Sequence, residues 1–401
     1  MITNKGFECF VETLRLNPGD IELGCPLPWA VYSTENSLLL QEGTTVNSER
    51  QLRVLLEKGL YRGLTEEEIE QNTPQGTVEK VPELNPFAVK DDCATQLAFI
   101  LKNLEQGNIE SPFESITHLC KQIQSLCKSD ADAALGAVHF CRKFQYSTLH
   151  PIHTAILCEL LGRRIKYTVD ERISLLAAAL TMNVGMLDLQ DSLYNQHVPL
   201  TAEQRKAIHD HPQQSVKLIE QVGITDSVWI DTIRQHHEKV DGSGYPSRLS
   251  GKKICFNAKI LSLTDMYAAL VTPRKNRKPV LVKEVLKSIF LGRGKLVDED
   301  LSNQLIREVG IFPPGTAVRL LNGDVAIVTK RAVVKKNRDS MAPTVKSIVS
   351  PRGGPYEEPQ RRDCSNPLFK IEKMCVIDRA VSIDLLSLWG YQNSGQKETG
   401  S

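Results

Sequence analysis

The sequence predicts a mainly α-helical protein with a small β-rich module before the helices and a small β appendage after them. Three observations carry this. Apolar residues recur at three- and four-residue spacing from about Cys93 to Gly310. A hairpin pattern around Glu35-Asn36 precedes that region. An Asn322-Gly323 hairpin signal follows it.

In chain order, Leu16 to Gly24 reads as a strand and Cys25 to Trp29 as an ordered turn. Ala30 to Gly43 reads as a hairpin with the apolar run Leu38 to Leu40. Ser48 to Gly59 is a helix signal, with Ser48 as N-cap and Gly59 as stop. These place a module at residues 1–75. The polar stretch that follows carries Pro74, Pro82 and Pro86 and gives a linker over residues 76–94.

The helical domain spans residues 95–310. Its predicted helices are Thr95 to Leu104, Ile116 to Cys127, Asp130 to Gln145, His153 to Ile165 and Asp170 to Met182. Thr201 to Asp210, Pro212 to Val222, Val228 to His237, Asn257 to Val271, Pro279 to Leu291 and Asp298 to Val309 complete the set. Short connections make this a helical bundle. After Phe312-Pro313-Pro314-Gly315 the strands Thr316 to Leu321, Val325 to Thr329, Val345 to Val349 and Lys370 to Val376 form the appendage, residues 311–385. Ser350 to Asn366 reads as a mobile loop, and residues 386–401 as a disordered tail.

The bulk numbers narrow the function class. A chain of 401 residues suits two or three domains, and 41% apolar with 24% charged residues is ordinary for a globular protein. A net charge of +1 gives no general attraction to nucleic-acid polymers or anionic membranes. The most apolar run, Leu175 to Met182, falls far short of the roughly 20 residues a membrane span needs. No export signal is visible, so a cytoplasmic protein is expected. Ten cysteines contain no C-x-x-C pair and read as incidental thiols in a reducing compartment.

The chemistry-bearing string is His236-His237-Glu238-Lys239-Val240-Asp241-Gly242-Ser243-Gly244-Tyr245-Pro246. Adjacent histidines at a helix end can place imidazoles around an ion, and the glycines allow a turn that a Cβ would forbid. Of the other histidines, His118, His139, His197 and His209 lack such context and read as surface or helix residues.

With this string as anchor, residues 95–330 resemble the HD-GYP family, bacterial phosphohydrolases of cyclic di-GMP and related cyclic dinucleotides. Tyr146 to Leu157 is similar to the family's helix with its first histidine ligand, here His153, with His150 one turn earlier as a stand-in. Leu175 to Met186 falls where the family has its His-Asp pair and then a Gly-Lys. His209-Asp210-His211-Pro212 matches a further ligand, His211, and Leu263-Thr264-Asp265 matches the final aspartate. Gly244, Tyr245 and Pro246, with Arg274 and Arg277, fall where the family meets its ligand. The N-terminal module looks like the small β-rich domain preceding many HD-GYP domains, and a protein-contact role is its default.

The departures weigh as much as the match. Met182 and Asn183 stand in place of the His-Asp pair, Met186 in place of the lysine, and Ala268 where a second aspartate is usual. The resemblance implies one metal held by His153, residues 182 and 183, and Asp265, and another held by His211, His236, His237 and residue 183. A neutral amide at 183 is a poor bridge for two cations, and a thioether is a poor ligand for hard ions. The expectation is at most one divalent ion (iron, manganese or zinc) on three histidines. The implied function is a degenerate HD-GYP domain binding a cyclic dinucleotide such as cyclic di-GMP, or signalling partners such as GGDEF-type proteins, with weak or no phosphodiesterase activity. The alternatives are an active phosphodiesterase with a rearranged ligand set, in which His150 or Glu238 compensates, and a scaffold with an empty pocket.

Overall fold

The structure is a computed structural model that describes residues 13–15, 20–32, 38–57, 61–63, 85–140, 143–272, 280–332, 342–376 and 383–391. The chain divides into two compact units, residues 1–80 and 81–401.

In the first unit, β1 (Thr13–Arg15), β2 (Val31–Tyr32), β3 (Leu38–Leu40) and β4 (Tyr61–Gly63) form an antiparallel sheet in the order β1-β4-β2-β3. Helix α1 (Glu49–Glu57) starts behind Ser48, whose Oγ accepts from the Gln51 N–H. The core here is small: Ile21, Leu27, Trp29, Val31 and Val46. The expected strand over Leu16 to Gly24 is not formed in its described part, where Leu23 and Gly24 make a turn.

The second unit is helical through α12. Its helices are α2 (Pro86–Glu105), α3 (Pro112–Ser129), α4 (Ala131–Phe140), α5 (Tyr146–Arg164), α6 (Val169–Thr181) and α7 (Leu187–Asn195). They continue with α8 (Ala202–Gln221), α9 (Ser227–Gln235), α10 (Phe256–Val271), α11 (Val282–Gly292) and α12 (Glu299–Val309). Helix α2 begins inside the expected linker, because Asn85 caps it through Oδ1 and Pro86 takes the first position, where its missing N–H costs nothing. Helix α5 is the hub. Its residues from Tyr146 to Gly162 are all buried, and α6 and α10 pack on it.

Helix α6 carries a capping box at Thr168 and Glu171. With the 3-10 turn Val184–Met186 and α7 it makes an apolar stretch, Val169–Asn195, with a mean hydropathy of 1.4 in its most apolar window. That window is 61% buried inside the protein, which is the signature of a core helix.

The C-terminal strands β5 (Ala317–Leu320), β6 (Val325–Lys330), β7 (Thr344–Val349), β8 (Pro355–Asp363) and β9 (Ile371–Met374) form an antiparallel sheet in the order β8-β7-β6-β5-β9. Gly323 takes the positive φ of the expected Asn-Gly turn. Strand β8 corrects the expectation of a mobile loop over Ser350 to Asn366. It is an edge strand, where proline and charge are tolerated, and the fully buried Asp324 ties it down by accepting from Tyr356 OH (2.9 Å) and Arg362 Nε (3.1 Å). Part of the expected tail is also ordered. Helix α13 (Leu385–Trp389) packs Trp389 on Phe87, and Tyr391 donates to Asp130 Oδ2 at 2.7 Å. A Cβ on Gly136 would lie 2.4 Å from the Trp389 ring, so the indole needs that glycine.

Candidate metal centre

A proline inside one helix and the end of another build the site. Pro212 lies inside α8 and has no N–H, so the Ile208 carbonyl four residues earlier loses its helical partner. Nδ1 of His211 takes that carbonyl at 2.6 Å. Helix α9 ends at Gln235, leaving the Ile233 carbonyl among the unsatisfied groups of the last turn, and His236 Nδ1 donates to it at 2.7 Å. A carbonyl only accepts, so both Nδ1 atoms carry the proton and both Nε2 atoms present bare lone pairs. These two Nε2 atoms face each other at 3.4 Å. His237 completes the group, with ligand atoms of all three rings within 4.8 Å of one another.

Burial keeps the rings neutral. It lowers His211 to about 3, helped by neighbouring His236, and it lowers His236 as well. His237 is held well below the ordinary histidine value by burial and then by His236 and His211. A tetrahedral ion with bonds of about 2.0–2.1 Å spaces its ligand atoms about 3.3–3.4 Å apart, so the His211–His236 pair fits one. The three-histidine group can hold a metal ion.

Asp265, on α10, lies close enough for its charge to act on all three rings. Its Oδ1 is 2.6 Å from His150 Nε2. Burial pushes the Asp265 carboxyl up, but the hydrogen bond and charge of His150, with His237 and His236, outweigh it and hold the group well below the carboxylate range. His150 is itself stacked on Tyr146, and Tyr146 on Tyr194. Asp191, from α7, anchors the start of α5 by accepting from the Ser147 N–H and Oγ at 2.8 and 2.6 Å.

The structure therefore joins His150, not His153, to Asp265. His153 is buried, and neither of its ring nitrogens has a protein hydrogen-bond partner. Burial, and then the charge of Lys90 on α2, hold it well below the ordinary histidine value. The Asn183 Oδ1 is a second buried acceptor without a partner. Met182 is fully buried among apolar residues, and its carbonyl accepts from Ser215 Oγ at 2.8 Å. The same Oγ receives the Gly185 N–H at 3.0 Å, and a Cβ on Gly185 would lie 2.7 Å from the Ser215 nitrogen. Met186 is half-buried in this turn.

The glycine-rich turn folds back on α9. A Cβ on Gly244 would lie 2.4–2.5 Å from the backbone of Lys239, Glu238 and His237, so only glycine fits. Tyr245 stacks on His237, and the Tyr245–Pro246 peptide is cis. Glu238 is committed to the same turn: its Oε1 and Oε2 accept from the Ser247 and Leu249 N–H at 2.7 and 2.9 Å. Arg274 and Arg277 lie outside the described residues.

Sequence reading passed over three participants. His209 stacks on Tyr245. His139 donates Nδ1–H to the Pro314 carbonyl at 2.7 Å and faces Tyr267 OH at 3.2 Å. Lys90 is buried and paired with Asp91 at 2.6 Å. Spacing could not reveal them, because each acts on a residue distant in sequence: His209 on Tyr245, His139 on Tyr267 and Lys90 on His153.

Residues 133–301 match the HD domain family. The chain is similar to a cyclic di-GMP phosphodiesterase of Pseudomonas aeruginosa, 23% identical over 70% of this chain and 65% of that protein. It is also similar to a cyclic di-GMP phosphodiesterase of Borreliella burgdorferi, 23% identical over 45% of this chain and 48% of that one. A 3'3'-cGAMP-specific phosphodiesterase of Vibrio cholerae is 27% identical over 36% of this chain and 33% of its own length. The chain thus spans from a third to just under two thirds of these relatives. Among solved structures, an HDG"Y"P protein from Bdellovibrio bacteriovorus superposes with a TM-score of 0.47 at 16% identity, over 73% of this chain and 98% of that one. Residues 133–301 thus carry an HD domain, and the chain is similar to phosphodiesterases of cyclic di-GMP and of 3'3'-cGAMP.

Proposed function

We propose that the helical unit is a degenerate HD-GYP domain that holds one divalent ion on His211, His236 and His237 and binds a cyclic dinucleotide, with weak or no hydrolysis. The observation that carries this reading is the pair of bare Nε2 lone pairs 3.4 Å apart in a buried setting. Two such lone pairs repel unless a cation lies between them, and of the candidate ions imidazole donors suit zinc or iron best. When bound, such an ion polarises a phosphoryl oxygen and lowers the pKa of a bound water.

Support for a single ion comes from the neighbouring residues. Asp265 is engaged by His150, Met182 packs in the core, and position 183 offers a neutral amide. His153 and Asn183 bring no negative charge to hold a second cation. Losing one preorganised stabiliser of developing charge costs about 10²–10³ in rate, hence the expectation of severe impairment. Arg274 and Arg277 would meet the phosphates. The N-terminal unit would serve as a contact module for signalling partners.

The second reading, an active phosphodiesterase with a rearranged ligand set, is favoured by the His150–Asp265 pair beside the three histidines. Glu238 is a weak candidate there, since loop N–H groups occupy both its oxygens. The deciding experiment is cyclic di-GMP hydrolysis in excess Mn²⁺ or Fe²⁺, alongside calorimetric binding of the same nucleotide. Binding without turnover supports the first reading. Turnover that disappears in His237→Ala establishes the second.

A further inference from the structure

The three imidazoles are not oriented in the same way. His211 and His236 are each fixed by a carbonyl hydrogen bond from Nδ1. Among the described residues, no hydrogen bond holds the ring of His237. Its ring instead packs on Tyr245, with centroids 4.7 Å apart and planes at 29°. Tyr245 in turn packs on His209, at 4.9 Å and 25°.

We infer that His209 is a positioning residue for the metal centre, acting as the outer plate of a three-ring stack that fixes the plane of His237. The inference rests on the metal reading above. The geometry gives the stack a defined job. Rotation of an imidazole about its Cβ–Cγ bond swings the ligand nitrogen off the metal direction, and a hydrogen bond to the far nitrogen normally blocks that rotation. Among the described residues His237 lacks that bond, so flat surfaces against its ring are what restrict it: His236 lies at 4.0 Å and a 40° tilt, and Tyr245 is the stacked one. Tyr245 stays in place because His209 closes its other side. Helix α8 therefore contributes twice, through the ligand candidate His211 and, two residues earlier, through the plate. The His209 side chain is 53% exposed, so its replacement leaves the buried core untouched.

The test is a titration of the metal-free full chain with Co²⁺, followed by the ligand-field absorption bands that report coordination geometry. His209→Ala is expected to bind Co²⁺ about tenfold more weakly, the lower end of the usual effect of losing an orienting partner, with shifted bands. His209→Phe keeps a flat ring without any titratable or donor group and is expected to restore both affinity and spectrum. An unchanged titration and spectrum in His209→Ala would overturn the inference, and so would His209→Phe behaving like the alanine variant. A wild-type chain whose Co²⁺ binding is absent, or indifferent to His237→Ala, removes the metal reading itself and this inference with it.

Discussion

His211 and His236 point their unprotonated Nε2 atoms at each other across 3.4 Å, while their Nδ1 atoms are spent on the Ile208 and Ile233 carbonyls. Neither ring can rotate to relieve the contact without orphaning a backbone carbonyl. The protein therefore holds the lone pairs together whether or not a cation joins them, which is preorganisation of a ligand set.

One ion per chain is the first consequence. Elemental analysis after purification, with zinc, iron and manganese measured together, is expected to give close to one divalent ion. Replacing His236 by Ala removes a ligand outright and is expected to lower affinity by more than the roughly 10–100-fold that outer partners cost. Retention of full occupancy in that variant would place the ion elsewhere.

The His150–Asp265 pair sets the second. His150 is buried and Asp265 only 16% exposed, so Asp265→Ala strands a buried ring nitrogen. A lost hydrogen bond to a charged group costs about 1.5–3 kcal/mol. Urea unfolding of the metal-free protein is expected to show a loss of this order. A loss near zero would mean that the pair is made only loosely in solution.

Protonation of His139 gives a pH dependence with a definite sign. Burial lowers this histidine from 6.5 to about 4, against the opposing pull of its hydrogen bond to the Pro314 carbonyl. Between those two values the unfolded chain binds more protons than the folded one, so stability is full above pH 6.5 and falls as pH drops toward 4. The other lowered histidines, His153, His211, His236 and His237, act in the same direction. Thermal midpoints compared at about pH 7.5 and about pH 5 should therefore drop in acid. In His139→Gln, which keeps a donor for the carbonyl and cannot titrate, the drop should be smaller; an equal drop would remove His139 from the account.

The turn after α9 yields a steric prediction. Gly244 leaves no room for a methyl group against three backbone neighbours, and overpacking of this kind costs about 1–3 kcal/mol. Gly244→Ala is expected to destabilise the fold by that order and to loosen the Tyr245 ring from His237. Chemical denaturation reads the first effect and Co²⁺ affinity the second.

Much of the helical unit was legible because its apolar periodicity is strong, and the His236-His237 string was legible because glycines and histidines cluster there. The misreadings have local causes. Pro212 suggested two helices where α8 is continuous, since sequence does not show that a histidine ring will cover the carbonyl a proline leaves bare. Pro151 similarly hid the first turns of α5, which begins at Tyr146 rather than at His153. Strand β8 and helix α13 were hidden because their partners, Asp324 and Gly136, are distant in sequence. In the site, the resemblance gave His153 as the ligand with His150 as its stand-in, and it is His150 whose ring meets the Asp265 carboxylate.

Position 183 offers the sharpest test of why the site would stop at one ion. Its Oδ1 is buried and unpartnered, and His153 is a buried neutral imidazole without a hydrogen bond, so both acceptors are free to receive a cation. What they lack is negative charge. Asn183→Asp changes one atom type without changing volume, and it supplies an anionic oxygen of the kind that bridges paired cations. Without added metal the new carboxylate is buried and uncompensated, so the variant should be less stable than the wild type in chelator. With excess Mn²⁺ that deficit should shrink or reverse, because an ion that binds only the folded state stabilises it by mass action. Equilibrium dialysis against Mn²⁺ is expected to show the bound content rising from about one toward two ions per chain. If the content stays at one in Asn183→Asp and in the double variant Met182→His with Asn183→Asp, then charge at this position is not what limits the site. Some other feature, with the buried ammonium of Lys90 the first to examine, would then have to account for it.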